Sequence, residues 1–176
     1  DFGDFAASAE LQYGNVFGGN VDLEPEQRWI SELIYERRFW GDGIVSVGLR
    51  HDEISDALDV IPLDQGLSAV GNIGDGTLDQ LALTVAIPTD KLGVAGGMFR
   101  FRNTWNHTEV TDPTTGEIRP ISNVRPSQAV ISWEQDVTSW KLQYGMAYIP
   151  LLGQKGFDPD QTSGWRGHDY FEAWAE

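Results

Sequence analysis

At 176 residues, with 27 Asp and Glu against 12 Lys and Arg, the chain has a formal charge of −15, too acidic for a nucleic-acid partner. It has no cysteine, which excludes disulfides and thiolate metal sites. No run approaches the ~20 apolar residues of a spanning helix, so membrane proteins built of helices are excluded too.

Period-two alternation recurs along the chain and predicts strands. The first sets Trp29, Ser31, Leu33, Tyr35, Arg37 and Phe39 on one face against Arg28, Ile30, Glu32, Ile34, Glu36 and Arg38. Arg37 sits on the apolar side, where a rim position lets it snorkel. Gly41-Asp42-Gly43 is a tight-turn signal. The second strand sets Val45, Val47 and Leu49 against Ser46, Gly48 and Arg50, and the third sets Leu81, Leu83, Val85 and Ile87 against Gln80, Ala82, Thr84 and Ala86. Pro88-Thr89-Asp90-Lys91 breaks the third. The fourth places Phe99, Phe101 and Trp105 opposite Arg100, Arg102, Thr104, Asn106 and Thr108. The fifth sets Ala129, Ile131 and Trp133 against Gln128, Ser132 and Glu134, and a turn follows at 136–139. The sixth sets Trp140, Leu142, Tyr144, Met146 and Tyr148 against Lys141, Gln143, Gly145 and Ala147. A seventh starts near His168.

The connections alternate. Links near 40–43, 88–95 and 135–139 are short, whereas those near 52–76, 109–127 and 149–167 are long, polar and rich in Gly, Pro and Asp. An up-and-down meander with all its long loops at one end is the pattern of an outer-membrane barrel, with tight periplasmic turns and long extracellular loops. The fold expected is therefore all-β: an antiparallel up-and-down meander forming a partial transmembrane β-barrel, about seven strands of a larger one.

Length agrees with this. Trp29 and Phe39 share a face, and at about 3.3 Å per residue and a tilt near 45° they lie roughly 23 Å apart along the membrane normal. Trp29 and Phe39, with Trp140 and Tyr148 on the sixth strand, are thus the expected membrane-girdle aromatics. The competing reading, ordinary core aromatics, draws on Tyr144 and Trp105, which fall in mid-strand. The polar faces form stripes that suit a wet lumen, with charges of both signs pairing across strands.

Gly19-Asn20-Val21-Asp22-Leu23-Glu24-Pro25-Glu26, ahead of an alternating strand, resembles the GNPxLxPE segment of TonB-dependent receptors. Glu36-Arg37-Arg38-Phe39-Trp40-Gly41-Asp42-Gly43, His51-Asp52-Glu53-Ile54-Ser55-Asp56 and Gly71-Asn72-Ile73-Gly74-Asp75-Gly76-Thr77 follow in the order seen in one branch of that family, and Glu109–Glu117 is similar to its long-loop start. The resemblance runs from Phe5 to Glu176. Val21 replaces the family's usual proline. The family also has a plug domain, a TonB box and about 22 strands ending in an aromatic. Residues 1–176 are accordingly expected to be a fragment of such a barrel, lacking plug and final strands.

The resemblance implies an active-transport receptor of the bacterial outer membrane, importing a scarce nutrient such as a metal chelate or an oligosaccharide. Its partners would be outer-membrane lipid, the TonB system acting through the plug, and the small-molecule or oligosaccharide ligand. Ligand capture falls to the extracellular loops, where Phe157, Trp165 and Arg166 are candidates, while Arg100 and Arg102 would guide an anionic ligand through the lumen. Against that stands charge pairing of each arginine with neighbours such as Glu32 or Glu134.

No catalytic residue, metal site or cofactor is expected. Asp1-Phe2-Gly3 and Val85-Ala86-Ile87 match kinase triplets in letters only, with Pro88 at the lysine position and no HRD-type loop. His51, His107 and His168 are scattered, and the Asp75-Gly76 loop lacks calcium-ligand spacing. The alternative from another class is a soluble β-sandwich, either a carbohydrate-binding module using exposed Trp or a glycosidase domain. Three expectations separate the two. Residues 28–176 should form one sheet of sequence neighbours. Leu81, Leu83, Val85, Ile87, Leu142, Tyr144 and Met146 should lie on an exposed outer face. The isolated chain should need detergent or aggregate in water.

Overall fold

A computed structural model gives the structure of residues 8–10, 15–17, 20, 22–62, 68–158 and 161–176. The strands in chain order are β1 (Ser8–Glu10), β2 (Asn15–Phe17), β3 (Gln27–Phe39), β4 (Gly43–Ser55), β5 (Leu58–Pro62), β6 (Ser68–Asn72) and β7 (Gly76–Pro88), then β8 (Gly97–Thr111), β9 (Ile118–Arg119), β10 (Ser127–Val137), β11 (Leu142–Pro150), β12 (Gln154–Asp158), β13 (Gln161–Trp165) and β14 (Asp169–Ala175).

The seven long strands pair in the order β14-β11-β10-β8-β7-β4-β3, each with its sequence neighbour along the meander and each antiparallel. The up-and-down sheet expected from the alternation is present, and among the described residues it does not close into a barrel. The long links differ from simple loops. The first supplies β5 and β6, which join β1 and β2 from ahead of the meander in a small sheet, β1-β2-β6-β5; the second supplies β9, which adds to β8; and the third forms a separate hairpin, β12-β13. Strand pairing supplies partners for backbone groups that long irregular loops would leave open.

The short links are tight for local reasons. Gly41 adopts φ +87°, and a Cβ on Gly43 would stand 2.5 Å from the Phe39 carbonyl oxygen, so this turn needs glycine at both places. Thr89–Leu92 forms a 3-10 turn closed by Gly93 at φ 90°. Thr138–Trp140 forms another, with Lys141 left-handed at φ 50°. Trp140 therefore belongs to a turn, whereas the alternation alone placed it at the start of the sixth strand.

Residues directly opposite one another in a ladder share a face. One row crosses all seven strands: Arg37, Val45, Val85, Phe101, Ile131, Tyr148 and Phe171. Two levels toward the loops comes Tyr35, Val47, Leu83 and Asn103, and then Leu33, Leu49, Leu81, Trp105 and Ser127. This face is apolar, yet Leu33 (67% exposed), Leu49 (50%), Leu81 (39%) and Trp105 (39%) are open. Leu83, Val85, Ile87, Leu142 and Tyr144 are half-buried by lateral neighbours, and Met146 is exposed. None of them belongs to the buried hydrophobic core.

That core lies on the opposite, polar face, at its loop end. Ile54 and Val110, opposite Gly76 from either side, pack with Ala57 and Ile73, and with Ile61, Leu78 and Ile121 at the margin. Each polar stripe turns apolar as it nears the loops: Ile54 follows Asp52, Leu78 precedes Gln80, and Val110 follows Thr108. The loops are thus seated across one end of the polar face.

Candidate functional site

The segment that carries the first resemblance motif is stitched to this cap. The Asn20 side-chain amide donates to the Val70 carbonyl (3.2 Å), the Glu24 N–H donates to Asn72 Oδ1 (2.8 Å), and Glu26 Oε2 accepts from the Leu58 N–H (3.1 Å). Asn72 Nδ2 returns bonds to the Glu24 and Asp56 carbonyls at 2.9 and 2.8 Å. Residues in three of the quoted motifs, Glu24, Asp56 and Asn72, therefore meet through one amide.

Arg119 ties the cap together. Its guanidinium donates to Asp112 (2.6 Å) and Asp59 (2.9 Å) and to the Pro120 carbonyl (3.1 Å), and it lies 4.6 Å over the Phe157 ring. The ion pairs are nearly buried, with Asp59 6% and Arg119 8% exposed. Burial pushes the Asp112 carboxyl up, but Arg119 and the N–H groups of Thr115 and Thr114 outweigh it and hold it at about 2. Deeper in the sheet, Asp52 is fully buried and takes a two-pronged bond from Arg50 (2.6 and 2.7 Å), with Arg28 at 3.6 Å.

The residues singled out in the sequence fall in three places. Arg100 and Arg102 lie along β8 on the polar face. Arg100 pairs with Glu134, and Arg102, between Thr84 and Val130, has no ion pair among the described residues. Phe157 lies beneath Arg119, its N–H donating to Ser122 Oγ at 3.1 Å. Trp165 and Arg166 line a loop cavity of about 390 Å³ together with Arg125, Gln154 and His168. The structure brings this last pair together and keeps Arg100 and Arg102 out of the cavity. Arg125 was not singled out in the sequence, and His168 was weighed only as a metal ligand, because nothing in their spacing links positions forty residues apart.

The aromatics are distributed as follows. Phe39 ends β3 at the turn and packs edge-on to Trp40. Trp140 is exposed in its turn. Tyr148 donates its hydroxyl to Asp169 Oδ2 (2.8 Å), toward the loops. Trp29 stands beyond the apolar rows, level with Glu53, Thr77 and Glu109, and is 80% exposed. Between it and the leucines runs a polar row, Ser31, His51, Asp79 and His107, in which His51 Nδ1 and Asp79 are 2.7 Å apart. A groove of about 660 Å³ follows that boundary, lined by Leu33, Leu49, Leu81 and Trp105 on one side and by His51 and Asp79 on the other.

No protein-family model matches the chain, and no curated protein matches it. Among the described residues no group of three or more His, Cys, Asp or Glu is placed to hold a metal ion, and no helix is long and apolar enough to cross a membrane.

Proposed function

We propose that this sheet is part of the wall of a bacterial outer-membrane β-barrel, a non-enzymatic active-transport receptor of the TonB-dependent kind that imports a scarce nutrient. The observation that carries the reading is the placement of apolar surface. Among the described residues nothing covers the apolar band on one face, while the buried core sits on the polar face under the loops. A soluble sandwich puts its alternating apolar face inside. A barrel wall puts it against lipid, lines the lumen with the polar face, and folds its loops inward. The resemblance carried by Asn20, Glu24, Glu26 and Asn72 supplies the receptor family, and with it a plug domain and the TonB system as partners. Ligand capture, of a metal chelate or an oligosaccharide, belongs to the loop end.

The chain has no cysteine, so single cysteines report position cleanly. Leu83→Cys and Ala82→Cys, labelled with a polarity-sensitive dye in lipid vesicles, should give a strongly blue-shifted and a water-like spectrum respectively. Equal, water-like spectra at both positions, from a chain that stays monomeric without detergent, would overturn the reading.

A further inference from the structure

We infer that the cavity between Arg125, Gln154, Trp165, Arg166 and His168 is a binding site for an acidic saccharide, a sugar ring bearing a carboxylate. The inference rests on reading the loop end as the ligand-facing side, and it names the class of ligand taken there.

Charge is the first argument. Asp and Glu outnumber Lys and Arg by 27 to 12, yet none of the cavity's lining residues is acidic, and three are Arg125, Arg166 and His168. Elsewhere most of the arginines are paired with carboxylates, Arg50 with Asp52, Arg100 with Glu134, and Arg119 with Asp59 and Asp112, whereas Arg37 and Arg102 have no ion pair among the described residues. No described carboxylate lies within ion-pair distance of Arg125 or Arg166. Arg125 Nε gives one bond, to the neutral Gln154 Oε1 at 3.2 Å, which leaves the outer edge of its guanidinium for a ligand.

Placement is the second argument. Arg125 is held from behind, since its carbonyl accepts from Asn106 Nδ2 (2.8 Å) and the next residue, Pro126, accepts from the Asn106 N–H (2.9 Å). Asn106 is on β8, in the rigid sheet, so the guanidinium is presented from a fixed base rather than a swinging loop. Shape is the third argument. Trp165 is 71% exposed although it lines a cavity, and Leu151 and Leu152 add apolar wall. An open indole beside fixed cations suits a ligand with a flat C–H face and an anionic edge, which describes an acidic sugar. The volume of about 390 Å³ falls in the range of roughly 300–1,000 Å³ for small-ligand sites.

The test uses the full 176-residue chain in detergent micelles, titrated with a galacturonate trisaccharide, the matching neutral galactose trisaccharide, and citrate, with tryptophan fluorescence and calorimetry as readouts. The inference expects binding of the acidic trisaccharide, at least about tenfold weaker binding of the neutral one, and a clear fall in affinity between 50 mM and 500 mM salt. Arg166→Gln should weaken the acidic sugar about tenfold, the loss of one charge-assisted bond, and Trp165→Ala should weaken both sugars. Arg38→Gln, on an exposed arginine at the opposite end of the polar face, is the control and should change nothing. Equal binding of both sugars, citrate binding as tightly as the acidic sugar, or no binding at millimolar concentrations each overturns the inference. If the Leu83 and Ala82 labels still report lipid and lumen, the barrel reading survives that loss.

Discussion

The two faces of this sheet are made of the same strands and live by opposite rules. On one, Leu33, Leu49, Leu81 and Trp105 line up in a row that no described residue covers. On the other, Ile54 and Val110 are almost fully buried, and Asp52, Asp59 and Arg119 are sealed in with them. Hydrophobicity alone does not predict burial here, because the leucines are outside and the carboxylates inside. The difference lies in what each face is built to meet. Buried charges persist only where partners satisfy them, and Arg50 and Arg119 do so. Under the proposed barrel reading, the exposed leucines face lipid.

Five substitutions or conditions probe that contrast. Arg119→Met should cost the cap most, about 3–5 kcal/mol, because it strands Asp59 without its cation in a buried site. Hydrogen exchange in 56–75 and 112–126 should rise steeply while the central ladders stay protected. Val85→Arg, at the middle of the apolar face, should cost about 2–4 kcal/mol in lipid, whereas Thr84→Arg next to it should cost little. Denaturant titration of both variants in vesicles compares them, and equal costs would erase the distinction between the faces.

Acid probes the cap alone. The folded Asp112 pKa of about 2 lies below its ordinary 3.8, so its contribution is complete above about pH 4 and disappears as pH falls through 2. The loss is at most about 2 kcal/mol, and Arg119→Met should shrink this pH dependence to the part that the Thr114 and Thr115 N–H groups sustain. Two-dimensional NMR of the 112–119 amides between pH 5 and 2 would follow it. The smallest effect belongs to Ile54→Val, about 1 kcal/mol, since it removes one methylene from the small core under the loops; a thermal melt in detergent measures it.

Most of the sheet was legible from alternation. All seven predicted strands are present, and the short and long links fall at opposite ends. Strand ends were less legible. β4 runs on to Ser55 and β8 to Thr111, inside segments that read as polar links, because Asp52, Glu53 and Glu109 look like loop residues until their partners are known. The cap had a visible signal that alternation arguments overlook: the stripe carrying Arg50 and Asp52 ends in Ile54, and the one carrying Asn106 and Thr108 ends in Val110. Asn103 also interrupts the apolar face, buried and bonded to Ser127 Oγ at 2.9 Å, and only the register reveals that pairing. Of the loop cavity, Trp165 and Arg166 were legible as exposed loop residues of suitable chemistry. Arg125 joins them only through folding of 112–126 against the strands.

The register of the ladders sets how the sheet's edges meet their surroundings. Taking the row from Arg37 to Phe171 as a level line, the first tight turn leaves two residues past it at Phe39, the next three past it at Pro88, and the last six past it at Val137. The loop ends withdraw in the same sense, from Ile54 to Trp105 to Pro150. The strands therefore climb like a staircase, which is the stagger that closing a tilted barrel demands. Among the described residues, only Tyr35 to Phe39 of the outermost strand β3 stand level with Asp169 to Ala173 of β14 at the far side, and Gln27 to Ile34 face no counterpart at their own height. Bending the sheet into a ring would leave that upper ledge of N–H and C=O groups open. Such a ledge recruits another strand, so two copies of this chain in detergent should dock edge to edge through Gln27–Ile34, and Ile30→Pro should keep them apart.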